Sequence, residues 1–310
     1  MELKEVVIGS AVRTPIGSFH GALSGIAATK LGSVVIAEAL KRAKLKEADV
    51  DQVIMGNVLS AGLGQAPARQ AALGAGLPKT VECLTVNKVC GSGLKAVMLA
   101  AQAIRLGEAE VVVAGGMESM TNAPYLLPKA RQGYRMGHGA LVDSMIKDGL
   151  WDVYNDFHMG AAAELCAKKF AISRTEQDEF AALSYRRAQA AQRNGNFAKE
   201  IVSVVTAVKD HREYVVREDE EVGKFDLGKM KSLRPAFHED GTVTAGNASS
   251  ISDGAAAPAV RPIWMSPEAI PVTRVAPLRR STGSDSMPYF AKKPWSRATQ
   301  SGIKRGVVEA

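Results

Sequence analysis

Residues 110–116, EVVVAGG, form an unbroken apolar run bounded by charge and glycine. A strand with one wetted face alternates apolar and polar residues, whereas one covered on both faces reads as continuously apolar, so this run predicts a sheet with helices on each side. The segments before it agree. EVVIGSAV (5–12) reads as a strand, Leu31, Val34, Val35 and Ala39 share a helix face, and QVIMGNV (52–58) reads as a second strand. A helix near 65–75 follows, then a strand through Leu84, Thr85 and Val86. Next comes a helix whose apolar residues Leu94, Val97, Met98, Ala101 and Ile104 recur at helical spacing. The expected class is α/β, a parallel or mixed sheet with helices on both faces. Between about 121 and 245 this rhythm is lost, except where Ser173 and Glu176 form a capping box for a helix reaching Asn194-Gly195. No solenoid-length repeat is present.

Cys90 falls where the third strand gives way to its helix, in TVNKVCGSGLKA (85–96), and is expected to open that helix. Unpaired N–H groups and the positive end of the helix dipole favour a thiolate there, and a thiol pKa near 8.5 falls to roughly 3.5–7.5 in such positions. Gly91 and Gly93 leave room for a substrate beside the backbone. The competing reading is that Cys90 is a small buried residue. Cys83 and Cys166 lie in apolar-patterned segments, and the three cysteines form neither a CxxC pair nor a metal spacing. A reducing, cytoplasmic setting is therefore expected. The charged start MELKEVVIGSAVRTP has no apolar signal core, and no apolar run of membrane-spanning length is expected.

The residues around Cys90 carry more than position. NKVCGSGLKA resembles the nucleophile motif of the thiolase family, in the form found in biosynthetic acetyl-CoA acetyltransferases. Four further stretches resemble that family in the same order: GGMESMTNAP (115–124), DFHMGAAAE (156–164), LRPAF (233–237) and DGTVTAGNASSISDGAAA (240–257). The resemblance covers residues 3 to about 257 and implies a layered thiolase-like fold. Residues 1–120 would form the N-terminal half-domain with Cys90, 121–245 a loop domain that holds coenzyme A, and 246–257 a return into the first half. It further implies that Leu150, His158 and Met159 lie along the pantetheine arm, that Ser249 hydrogen-bonds the pantetheine amides, and that Ala236 and Phe237 pack beside the carrier. Where the family usually places an arginine for the nucleotide end, this chain has GKFDLGKMKS, so Lys224, Lys229 or Lys231 would serve, as point charges without a bidentate fork.

The implied chemistry is acyl transfer to Cys90 from one CoA thioester, then attack by the enolate of acetyl-CoA, or the reverse cleavage of a 3-ketoacyl-CoA, as in fatty acid metabolism. Coenzyme A thioesters are substrates here, and no cofactor or metal is expected. The family's second cysteine, its thiol-activating base and its Asn-Glu-Ala-Phe segment belong to a C-terminal half, and neither a Gly-His-Pro nor a Cys-x-Gly-Gly-Gly run follows Asp253. The second half-domain is accordingly expected to be missing. The alternative is a non-catalytic remnant that binds CoA or pairs with an intact homologue. A 3-ketoacyl synthase relative shares the fold and cysteine, but the His-Met-Gly and TAGNAS segments favour thiolase. The intact family implies a homo-oligomer.

Charge locates the remaining question. The chain carries +7, and residues 258–310 hold nine Lys or Arg against three Asp or Glu, so the body is nearly neutral. That tail also holds seven of the 13 prolines and shows neither helical nor strand periodicity. Pro258, Arg261 and Pro262 are expected to interrupt a strand, because proline cannot donate to a central ladder. The tail reads as a basic linker, as an ordered replacement for the missing half, or as out-of-frame translation. Without aromatic interleaving or a recognised motif, nucleic acid is not an expected partner. His20, His138, His211 and His238 occur singly in polar loops and are expected at the surface. GLGQAPARQ lacks the third glycine of a dinucleotide fingerprint, no phosphate-loop run exists, and Asn247-Ala248-Ser249 is a glycosylation acceptor only on paper.

Overall fold

Leu31, Val35, Ile36 and Ala39 recur on one stripe of the first long helix, and all are buried against a sheet that organises the molecule. The computed structural model describes residues 3–206, 214–265 and 273–274. The first part of the chain gives β1 (Val6–Arg13), β2 (Gly17–Ser18), α1 (Ala28–Ala43), β3 (Gln52–Gly56), α2 (Pro67–Gly74), β4 (Glu82–Val86), α3 (Ser92–Leu106) and β5 (Val112–Ser119). An excursion follows with three short ribbons, β6 (Tyr125–Leu126) on β7 (Val142–Asp143), β8 (Trp151–Asp152) on β9 (Phe157–His158), and β10 (Val204–Thr206) on β11 (Tyr214–Val216). Between and after them lie α4 (Met159–Phe170), α5 (Arg174–Arg193), α6 (Glu220–Gly223) and α7 (Leu227–Ser232), before the chain returns as β12 (Ser252–Pro262) and β13 (Thr273–Arg274). The main sheet runs β13-β1-β12-β5-β3-β4, with β2 paired to β12. It is mixed: β4, β3 and β5 are parallel, and β12 is antiparallel to β5 and β1.

The helices cover the two faces. One core gathers α1 and α2 side chains over Val53, Met55, Val111 and Val113; the other gathers Ala96, Ala100 and Ile104 of α3 over Ile54, Val112 and Ala114. Alternate residues of β3 and β5 thus point into different cores, which is why 110–116 carries no polar alternation. Ser173 caps α5 with the expected reciprocal box to Glu176. Val89–Leu106 has the length and mean hydropathy (1.2) of a bilayer span, contrary to the expectation that no such run exists. Within it Ala96, Ala100 and Ile104 are packed on the sheet by α3, whereas Val89, Leu94 and Leu106 are exposed.

The expected interruption at Pro258, Arg261 and Pro262 does not occur. β12 runs through all three, between β1 and β5, with Pro258 opposite Ala11, Arg261 opposite Val7 and Pro262 opposite Val6. On the β5 side the ladder skips Ala257 and Pro258 and resumes at Ala259 opposite Val113, so the missing donor falls at a gap in pairing. Arg261 fits less well. It is 1% exposed; Nη1 reaches the Ala43 carbonyl at 3.4 Å, while Nε and Nη2 have no acceptor among the described residues. Burial pushes its guanidinium pKa down. Buried donors left unmade cost about 1–3 kcal/mol each, and more when charged. Arg261→Leu is therefore expected to stabilise the chain by about 1–4 kcal/mol, read as a rise in the urea midpoint at constant m-value; a fall would show that the guanidinium is satisfied.

Candidate functional site

Gly56 at the end of β3 and Gly116 in β5 make room for the start of α3. A Cβ on Gly56 would lie 2.7 Å from Ser92 Cβ and 2.8 Å from Gly93 N, and one on Gly116 would lie 3.4 Å from Gly93 Cα. The helix start thus seats directly on the carboxyl ends of the parallel strands, where α/β sheets bind ligands. Cys90 does not open the helix as expected, since α3 begins at Ser92 with Gly91 as its N-cap. Val89 takes φ +49°, a left-handed conformation that costs a β-branched residue on the order of 1–3 kcal/mol. Two N–H groups at the helix start are used within this turn, Gly91 N–H to the Lys88 carbonyl (3.1 Å) and Ser92 N–H to the Val89 carbonyl (3.1 Å).

Cys90 is exposed and lines a cavity of about 570 Å³ with Val89, Ser92, Leu59, Leu150 and Ser250. Leu150 ends a single π-helical turn, Met145–Leu150, whose Gly149 sits against Leu59; such turns recur at functional sites. Cys83 is half-buried, and burial raises its thiol pKa despite Arg69. Cys166 is exposed on α4, not covered as its apolar pattern suggested.

His158 caps α4, its Nδ1 accepting the Gly160 N–H at 2.9 Å, which leaves Nε2 to carry the proton. Its ring stacks on Phe237 at 4.9 Å and 19°, and any side chain at Gly160 would run into Phe237. Ala236 N–H donates to the Val243 carbonyl (2.9 Å) and fixes the strip beside the two rings. Met159 and Ser249 are exposed, the latter next to the cavity-lining Ser250. The structure therefore brings Cys90 to Leu150 and His158 to Phe237, and sets Ser249 one residue from the cavity. Lys224 and Lys229, but not Lys231, line a smaller pocket of about 190 Å³ beside the stacked rings of Tyr185 and Phe225. His20, His138 and His238 are exposed as expected, and His211 lies outside the described residues.

Three charged groups of the cavity wall were not singled out from the sequence. Arg13 forks onto Asp219 (2.7 and 2.9 Å) and reaches Glu200 at 2.7 Å. Glu118 accepts from Asn57 Nδ2 (2.8 Å), Val58 N–H (2.8 Å) and Leu59 N–H (3.1 Å); burial raises its carboxyl pKa, the Val58 and Leu59 hydrogen bonds opposing. Asp253 accepts from Ser119 Oγ and the Thr121 N–H. One signal existed: Arg13 and Glu118 are charged residues at the ends of apolar strands, where a strand delivers its last side chains to a site.

The model of the thiolase N-terminal domain matches residues 6–262. The chain belongs to the thiolase family. It is 61% identical over 256 residues to acetyl-CoA acetyltransferase 2 of Arabidopsis thaliana, a match covering 82% of this thiolase and 64% of that protein. It is 56% identical over 256 residues to the acetyl-CoA acetyltransferase of Cupriavidus necator, covering 82% and 65%. Among solved structures, a thiolase from Ascaris suum in complex with coenzyme A superposes with a TM-score of 0.78 at 45% identity, covering 83% of this chain and 66% of that one. This thiolase thus spans a little under two thirds of the length of the relatives it matches.

Proposed function

We propose that this chain binds a coenzyme A thioester and accepts its acyl group on Cys90, the first half of the reaction named in its acetyl-CoA acetyltransferase relatives. The carrying observation is that an exposed thiol, held in a strained turn, opens onto a cavity large enough for an acylated pantetheine end. The thiolate attacks the thioester carbonyl carbon, a C–S bond to Cys90 forms, the C–S bond to coenzyme A breaks, and the leaving thiolate takes up a proton. Leu150 and Ser249 then flank the pantetheine, His158 offers its Nε2–H, and Met159, Ala236 and Phe237 form the apolar edge. The nucleotide end falls to Lys224 and Lys229 beside Tyr185 and Phe225. The thiols Cys83, Cys90 and Cys166 are all free, which suits a cytoplasmic setting.

A second reading, a non-catalytic partner that binds CoA or pairs with an intact homologue, draws on the apolar surface beside the turn. Leu94 is 69% exposed, Val89 50% and Leu84 49%. Intact-mass spectrometry after acetyl-CoA addition separates the two. The proposal expects one acetyl group, mapped to Cys90 and absent from Cys90→Ser, and expects free coenzyme A to slow iodoacetamide at Cys90, less effectively in His158→Ala and Ser249→Ala. Protection without acetylation would leave the binding reading alone; neither effect in a folded sample would reject both.

A further inference from the structure

The turn that carries Cys90 is closed by one hydroxyl. Ser92 Oγ donates to the Val89 carbonyl at 2.6 Å and accepts the Lys88 N–H at 2.8 Å, so one buried side chain ties the peptide group that follows Val89 to the one that precedes Lys88. A second side chain works on the same residue from the other side, as Asn87 Oδ1 accepts the Val89 N–H at 2.9 Å. Val89 is the residue at positive φ, and a β-branched side chain returns to its ordinary backbone regions unless the surroundings hold it. Ser92 itself has no freedom to move away, because its backbone and Cβ rest on Gly56. The clamp is therefore fixed to the sheet, and Cys90 is suspended between its two hydrogen-bonded ends.

We propose that Ser92 is the positioning residue of the Cys90 thiol, holding Val89 at positive φ so that Sγ stays on the cavity wall. This rests on the reading of Cys90 as the nucleophile. Removing the hydroxyl frees the Lys88 N–H, which belongs to an exposed residue and can turn to water, so the fold survives while the turn relaxes. A relaxed turn carries the thiol away from the cavity wall that it lines.

The test uses the full chain and its own internal reference. Iodoacetamide labelling of Cys90 relative to the exposed Cys166 is followed by peptide mapping across pH, in wild type, Ser92→Ala, and Ser92→Ala combined with Val89→Gly. Glycine holds positive φ without strain, so it substitutes for the clamp. The expectation is a Cys90 to Cys166 rate ratio that falls roughly tenfold in Ser92→Ala, as loss of two hydrogen bonds on one turn implies. The double variant should recover most of the loss. An unchanged ratio in Ser92→Ala, with wild-type Cys90 reacting fast, would overturn the role of Ser92 alone. Failure of Val89→Gly to restore the ratio would also overturn it, since Ser92 would then act otherwise than through Val89. A wild-type Cys90 no faster than Cys166 would overturn the nucleophile reading and this proposal together.

Discussion

Acetoacetyl-CoA added to the 310-residue chain with free coenzyme A is expected to acylate Cys90 once and go no further. The cavity supplies a thiol and a binding wall, but no other cysteine lines it, and the sequence has neither the Gly-His-Pro nor the Cys-x-Gly-Gly-Gly run of the family's second half. A positioned proton-transfer group contributes about 10²- to 10⁴-fold, and each lost oxyanion donor costs about 10²- to 10³-fold. Without several of them together, these 310 residues are expected to show no repeated turnover. Thiolysis followed by the fall in enolate absorbance, with Cys90→Ser as control, is the measurement. Repeated turnovers that vanish in Cys90→Ser would show that these residues hold a complete site.

The largest expected stability effect is at Asp219. Its side chain is 6% exposed, accepts from both terminal guanidinium nitrogens of Arg13, and accepts the Ile16 N–H at 2.8 Å. Burial alone would lower the Arg13 pKa, yet its hydrogen bonds to Asp219 and Glu200 outweigh this and hold the guanidinium above its ordinary value. Asp219→Ala removes the forked acceptor and leaves Arg13 only Glu200, and is expected to cost about 3 kcal/mol, because the charge is mostly buried and the Ile16 N–H loses its acceptor as well. Glu200, 45% exposed, lies at the wet edge of the same cluster, and Glu200→Ala is expected to cost about 0–1 kcal/mol. Urea titrations of the two variants give the contrast; equal losses would mean that Asp219 is not the buried anchor. Asp219 comes from the excursion and Arg13 from β1, so the same change should loosen the cavity wall that Arg13 lines.

What the sequence made legible was local. The double-faced burial of 110–116, the stripe of α1, the capping box of α5 and the junction at Cys90 all depend on residues within a few positions of one another. The clamp of Ser92 is equally local, but a serine in CGSG gives no sign of where its hydroxyl points until Val89 is seen at positive φ. The Arg13 to Asp219 fork spans 206 positions and the Glu118 to Val58 contact 60, and no periodicity encodes such distances. β12 escapes the sequence pattern for a different reason: proline excludes a strand only where both ladders need its donor, and the ladder of β12 to β5 has a gap at Pro258.

The place of β12 has a consequence in time. Strands β1 and β5 are made by residue 119, yet the strand that joins them spans residues 252–262. During synthesis both neighbours stand with open edges while more than a hundred residues of excursion are added, and unpaired edges are where chains recruit one another. Sheet closure is then a late event of long sequence separation, which slows folding. Pro258 shortens the hazard from the other side, since a strand without one donor is a poorer template for a stranger than for the gapped partner that awaits it.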